Sequence, residues 1–139
     1  MTKNFYISTD KSKLDIPLIY QYLSCESYWA KGRSLKTVET SIENSLCFGV
    51  YTDDTQIGFA RVVTDYAVIA WVMDVFILNE YRGNGLGVML MSTIMNHEKL
   101  QKLQRWGLGT EDAHGLYEKF GFKTIQKPAN WMEITSSPS

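Results

Sequence analysis

Residues 80–91 read EYRGNGLGVMLM. Gly83, Gly85 and Gly87 fall at every second position, behind Arg82 and ahead of an apolar stretch. The run before them, VIAWVMDVFIL (68–78), is apolar at nearly every position. Ile69, Trp71, Met73, Val75 and Ile77 would share one face, and Ala70, Val72, Phe76 and Leu78 the other, as in a central strand covered on both sides. After the glycines, Leu86, Leu90 and Ile94 recur at i, i+4 and i+8 with Met91 and Met95 beside them, which predicts a helix ending near His97 or Glu98. A strand, a tight loop and a helix in succession bring the helix's unbonded N–H groups to the strand end, where their partial positive charge favours an anion. Glycine lets a phosphate approach that backbone without meeting a Cβ and tolerates the φ values of a tight loop. The stretch therefore reads as a phosphate cradle.

The flanking sequence supplies a mixed sheet. NFYIST (4–9) reads as a short strand. Leu14, Leu18, Ile19, Tyr22 and Leu23 predict a helix over residues 13–26. Ser34 is placed to cap a second helix that carries Val38 and Ile42 on one face. LCFGVYTD, QIGFARVVTD and VIAWVMDVFIL predict a three-strand meander, with a hairpin turn at DDT (53–55). LQRWGLGT (103–110) contains a short strand, and EDAHGLYEKF (111–120) a helix with Ala113, Leu116, Tyr117 and Phe120 on its apolar stripe; Thr110 caps it and Gly121 ends it. FKTIQ (122–126) and WMEIT (131–135) are candidate closing strands. The expected order is β α α β β β α β α β β, a mixed α+β arrangement.

Three phosphate-binding designs compete for the loop. A nucleoside-triphosphate P-loop requires GxxxxGK[ST], and no Lys-Ser or Lys-Thr follows Gly87; a dinucleotide loop requires GxGxxG, and Val88 stands at the third glycine. Glu111, after the next strand, keeps the dinucleotide option open as a ribose contact. The third design is a family pattern. Arg82, Gly85 and Gly87 match the (Arg/Gln)-x-x-Gly-x-(Gly/Ala) signature, and LYEKFGF (116–122) resembles the second motif, of the GNAT superfamily of acetyl-CoA-dependent N-acetyltransferases. With the intervening elements the resemblance covers residues 70–122. It implies a GNAT fold, a mostly antiparallel mixed sheet of about six to seven strands flanked by about four helices. Residues 1–135 would form a single domain, and 136–139 a polar tail.

The resemblance implies transfer of an acetyl group from acetyl-CoA to a primary amine by direct attack in a ternary complex. The loop backbone from Arg82 through Gly83, Asn84, Gly85 and Leu86 to Gly87 would hold the pyrophosphate. The splayed strand end at Phe76, Ile77 and Leu78 would pair with the peptide-like pantetheine arm. Tyr117 matches the tyrosine that protonates the departing sulfur, although its place on an apolar stripe equally suits a core residue. Asp74, a carboxylate in an apolar strand, is the candidate base or amine-binding group; the other reading is a carboxylate held by backbone amides or by an arginine such as Arg33 or Arg61. Tyr28, Trp29 and Arg33, in SYWAKGRS (27–34), are candidates for the acceptor pocket, and Trp29 also suits a core plug. At Thr110 the chain departs from a frequent Asn of the family that contacts the CoA arm. The alternatives are a CoA-binding sensor or regulatory domain without transfer and, further off, a nicotinamide oxidoreductase.

Composition sets the outer bounds. The chain has 139 residues, 45% of them hydrophobic and 21% charged, with a formal net charge of -1, which argues against a nucleic-acid partner. The N-terminal stretch lacks the apolar core of a signal peptide and no stretch is long enough for a membrane span, so a cytoplasmic protein without membrane contact is expected. Cys25 and Cys47 are isolated and only His97 and His114 offer imidazoles, so no metal site and no disulfide are expected. The sequence does not identify the acceptor amine; a homodimer is one assembly the resemblance allows.

Overall fold

The computed structural model describes residues 4–136. Five strands form one sheet in the order β1-β2-β3-β4-β5. They are β1 Phe5–Ser8, β2 Leu46–Thr52, β3 Thr55–Thr64, β4 Ile69–Ile77 and β5 Arg105–Gly107. The first four pair antiparallel in sequence order, and β5 joins β4 in parallel. Four α-helices flank the sheet: α1 Ile16–Gln21, α2 Leu35–Glu43, α3 Leu86–Met95 and α4 His114–Glu118.

Local chemistry explains the boundaries. Asp15 and Ser34 cap α1 and α2 by accepting from Leu18 N–H and Thr37 N–H. Helix α1 does not run on to residue 26 as expected but loosens into a π-turn over Tyr22–Glu26, where Ser27 N–H reaches the Tyr22 carbonyl. Thr110 does accept from Ala113 N–H, as a cap would, but that bond closes a turn ahead of the helix, and α4 itself starts at His114. The α4 helix stops where Gly121 takes a φ of 95° and Phe122 N–H returns to the Tyr117 carbonyl.

The sheet separates two apolar layers. Phe48, Val50, Ala60, Val62, Ala70 and Val72 face Leu86, Leu90, Met91 and Ile94 of α3. On the opposite side Phe59, Phe76 and Cys47 face Ile19, Leu23, Val38 and Ile42 of the first two helices. Strict alternation along β4 fails at one point. Phe59 pairs with Phe76 and Arg61 with Met73, so Asp74 and Val75 together oppose the single residue Ala60. This is a β-bulge, and Asp74 sits in it with a φ of 55°. Beyond the bulge the faces exchange: Val75 and Ile77 turn to the layer that Ala70 and Val72 face, and Phe76 to the other. The simple two-face assignment of the sequence therefore holds only up to Met73.

The bulge buries a charge. The Asp74 side chain is fully buried, and both its oxygens accept charged or polar donors. Arg61 Nε lies 2.6 Å and Arg33 NH1 2.9 Å from Oδ2, and Trp29 Nε1 lies 2.9 Å from Oδ1. Arg61 is fixed in turn by the Ser45 hydroxyl at 3.1 Å.

Residues 122–126 and 131–135, expected as closing strands, pair with no strand among the described residues, where the sheet has five strands rather than six or seven. Pro128–Asn130 form a short 3-10 turn between them, and Met132 and Ile134 stand exposed. Trp131 instead rests against Trp71 and under the Arg105 guanidinium, 4.8 Å from its ring centre. Of the tail expected at 136–139, residues 137–139 lie outside the described residues. No helix among the described residues is long and apolar enough to cross a membrane.

Removing one member of a buried ion pair leaves the others without compensation and typically costs about 3–5 kcal/mol. Asp74→Asn is accordingly expected to lose about 3 kcal/mol of stability. Urea denaturation followed by circular dichroism checks this, and an unchanged midpoint would show that the cluster contributes little.

Candidate active site

The parallel pairing of β4 with β5 ends at Trp71 and Gly107, while β4 continues to Ile77. Past that point the two strands diverge and the β4 edge from Val72 to Ile77 has no neighbour on that side among the described residues. The opening is wider than expected, since it begins before Phe76, Ile77 and Leu78. Leu78 itself remains bound to the sheet through its N–H to the Ile57 carbonyl, at 2.8 Å.

The glycine loop closes one end of this opening. Gly83 and Gly85 have φ of 85° and 73°, and a Cβ built on either would meet no atom within 4 Å. Their glycines therefore answer a backbone requirement and keep the loop surface clear. Gly85 is the N-cap of α3 and offers no side chain to its first N–H groups, so these point outward at the positive end of the helix. Gly87 differs, because a Cβ there would lie 3.4 Å from Leu116 of α4. Asn84 turns inward to the Tyr81 carbonyl at 2.8 Å.

Arg82 locks the loop to the strand. Its Nε donates to the Ile77 carbonyl at 3.1 Å and its NH2 to the Tyr22 hydroxyl at 3.0 Å. The Tyr22 ring stacks on Phe76 with centroids 4.0 Å apart. The arginine side chain is thus a tether, a role separate from that expected of its backbone.

Two cavities meet at Tyr117. A groove of about 600 Å³ runs along Val75, Phe76 and Ile77 past Arg82, Gly83, Gly85, Leu86 and Gly87. A second cavity, of about 460 Å³, is lined by Tyr28, Trp29, Arg33, Trp71, Asp74 and the 108–113 connection. Tyr117 borders both. Burial, and to a smaller extent the nearby Tyr28 and Asp112, push its hydroxyl up to about 12.

The three residues expected at an acceptor pocket all reach the second cavity, but not as free groups. Trp29 and Arg33 are bound to Asp74, and Tyr28 accepts the Glu111 N–H at 2.8 Å, bridging the two connections that flank the cleft. For Asp74 the geometry is the second of its two readings, a carboxylate held by arginines. No local pattern marks the Tyr28–Glu111 bridge or the positions of Glu111 and Asp112 in the cavity wall, since both depend on how two distant connections meet. Cys47 is buried and its thiol is pushed up to about 11 by burial, whereas Cys25 is exposed; neither borders the cavities described.

Comparison with known proteins supplies the family. Residues 43–124 match the model of the acetyltransferase (GNAT) domain. A solved Xanthomonas campestris protein named as an acetyltransferase of the GNAT family is 46% identical, with a TM-score of 0.93 over 96% of this chain and 94% of its own. An N-acetyltransferase-named protein of Pyropia yezoensis is 30% identical over 86% of this chain and 71% of its own. A Clostridium acetobutylicum acetyltransferase solved with acetyl-CoA is 14% identical and shares the fold, with a TM-score of 0.66 over 96% of each chain. With more than half of its length matched by the domain model, and with the strand, glycine loop and tyrosine helix in that family's arrangement, this chain belongs to the GNAT acetyltransferases.

Proposed function

We propose that the protein transfers the acetyl group of acetyl-CoA to a primary amine. The observation that carries this reading is the junction of the two cavities at Tyr117, one of them ending on the exposed N-terminus of α3. The pyrophosphate would sit on the loop from Arg82 to Gly87, and the pantetheine amides on the free β4 edge, whose unpaired backbone groups match a peptide-like arm. The solved relative with acetyl-CoA supports the choice of donor.

In this reading the amine enters the cavity beside Asp74 and Tyr28 and attacks the thioester carbonyl. A C–N bond forms and the C–S bond breaks. Tyr117 donates its proton to the departing thiolate, and the proton of the attacking amine passes to water. Asp74, with both oxygens engaged, acts as a positioning group that holds Trp29 and Arg33 in the cavity wall. Burial keeps the Tyr117 hydroxyl protonated throughout the neutral and mildly alkaline range, since its pKa is raised to about 12, and at the same time makes it the weaker acid.

Calorimetric titration with acetyl-CoA, with NAD in parallel, is the direct test. Saturable binding of acetyl-CoA alone is expected, and binding of NAD alone would overturn the reading. Thiol release with amines then separates an enzyme from a CoA-binding sensor.

Gly85→Ala places a Cβ on a left-handed backbone at the N-cap and is expected to weaken acetyl-CoA binding at least tenfold in the same titration. Tyr117→Phe is expected to leave acetyl-CoA binding intact while lowering kcat by about a hundredfold or more, the usual contribution of a general acid. The pH profile carries a sign. Turnover is expected to rise as the acceptor amine loses its proton and to show no alkaline fall up to pH ~10, since the raised pKa keeps Tyr117 protonated there. A descending limb between pH 8 and ~10 in stopped-time assays would remove Tyr117 from the acid role.

A further inference from the structure

We propose that the acceptor is a small amine carrying a second positive charge, held among the rings of Tyr28, Trp29 and Trp71 and facing the carboxylates of Glu111 and Asp112. This rests on the acetyl-transfer reading above and narrows it.

The charge of the cavity wall follows from the Asp74 cluster. Arg33, the one basic side chain lining the cavity among the described residues, has NH1 on the Asp74 carboxylate at 2.9 Å. That pair is electrically neutral. Arg61, the second arginine on Asp74, is buried behind the wall and does not line it. The remaining ionisable carboxylates of the lining are Glu111 and Asp112, both exposed on the connection opposite Tyr28 and Trp29. Even with Arg61 counted, negative charge is in excess.

The walls agree in character. Besides Tyr117, three aromatic rings border a space of about 460 Å³, large enough for a small molecule. Aromatic faces attract cations, and a site combining them with carboxylates disfavours an acceptor bearing its own carboxylate. Asp112 stands at the reacting centre, since it borders both the cavity and the donor groove and its charge is one of the causes raising Tyr117.

A neighbouring cavity also touches Tyr117 and is lined, among the described residues, by Arg105 and Lys123 against the one carboxylate Glu118, a balance that would suit an anionic acceptor. Its link to the donor groove is Tyr117 alone, whereas the carboxylate-lined cavity shares Tyr28, Trp29, Val75, Asp112, Ala113 and Tyr117 with that groove. The amine nitrogen therefore reaches the thioester from the carboxylate side.

The test compares three acceptors of equal length by thiol release: 1,4-diaminobutane, butylamine and 4-aminobutanoate, with acetyl-CoA binding measured in parallel. The expected result is a kcat/KM at least tenfold higher for the diamine than for either other amine, with a diamine KM that rises with salt as a charge-driven contact must. In Glu111→Gln/Asp112→Asn that preference should shrink to about threefold or less, with folding checked by circular dichroism. Equal use of the monoamine, preference for the aminocarboxylate, or no transfer to the diamine while acetyl-CoA still binds would overturn this inference and leave the donor reading standing. A diamine preference that survives the double substitution would overturn the role of the two carboxylates. Failure to bind acetyl-CoA would instead strike the underlying reading.

Discussion

A buried carboxylate at a break in the central strand is the constraint on which the molecule is organised. Asp74 occupies the left-handed region, which L-residues other than glycine rarely adopt and which Asp and Asn tolerate best. The conformation persists because Arg61, Arg33 and Trp29 satisfy the side chain from three directions. A charge there without those donors would carry the full desolvation penalty, and the two arginines without it would be left as uncompensated cations. Backbone conformation and ion cluster are thus mutually dependent.

What the bulge accomplishes is a change of direction. It exchanges the faces of β4, so that Val75 and Ile77 pack on the α3 side while Phe76 stacks on Tyr22. It also lies just beyond the last pairing with β5, where the strands part. The Arg82 tether then sets the loop against the strand end, and the N-terminus of α3 is presented at the head of the opening. An open groove, an anion-favouring helix end and a tyrosine are brought together by one irregularity and one arginine.

Much of this was legible in the chain. The strand, glycine loop and helix unit was visible because its three parts are adjacent in sequence, and each announces itself by local pattern. The Ser34 cap and the end of α4 at Gly121 were legible for the same reason. The register error at Asp74 arose because period-two alternation assumes an unbroken ladder, and a single polar residue marks a bulge only when its partners are known. Arg33 and Arg61 were nameable as holders of the carboxylate, but Trp29 was not, and the three lie 41, 13 and 45 positions away, so no local pattern places them around a bulge. The closing strands were overread because FKTIQ and WMEIT have strand composition, yet Trp131 finds its contact with Trp71 and Arg105 instead of a ladder. Propensity gave way to a tertiary contact.

The Tyr28–Glu111 bridge has a thermodynamic corollary. Through Trp29 the first connection is fastened to the sheet, and through Tyr28 it is fastened to the segment that leads into α4 and Tyr117. The donor groove borders the same helix and the same two aromatic residues. The two cavities therefore share a wall, and in the proposed reaction occupancy of one that shifts this wall would change affinity in the other. Linkage requires such an effect to be mutual and equal in factor, whichever ligand binds first.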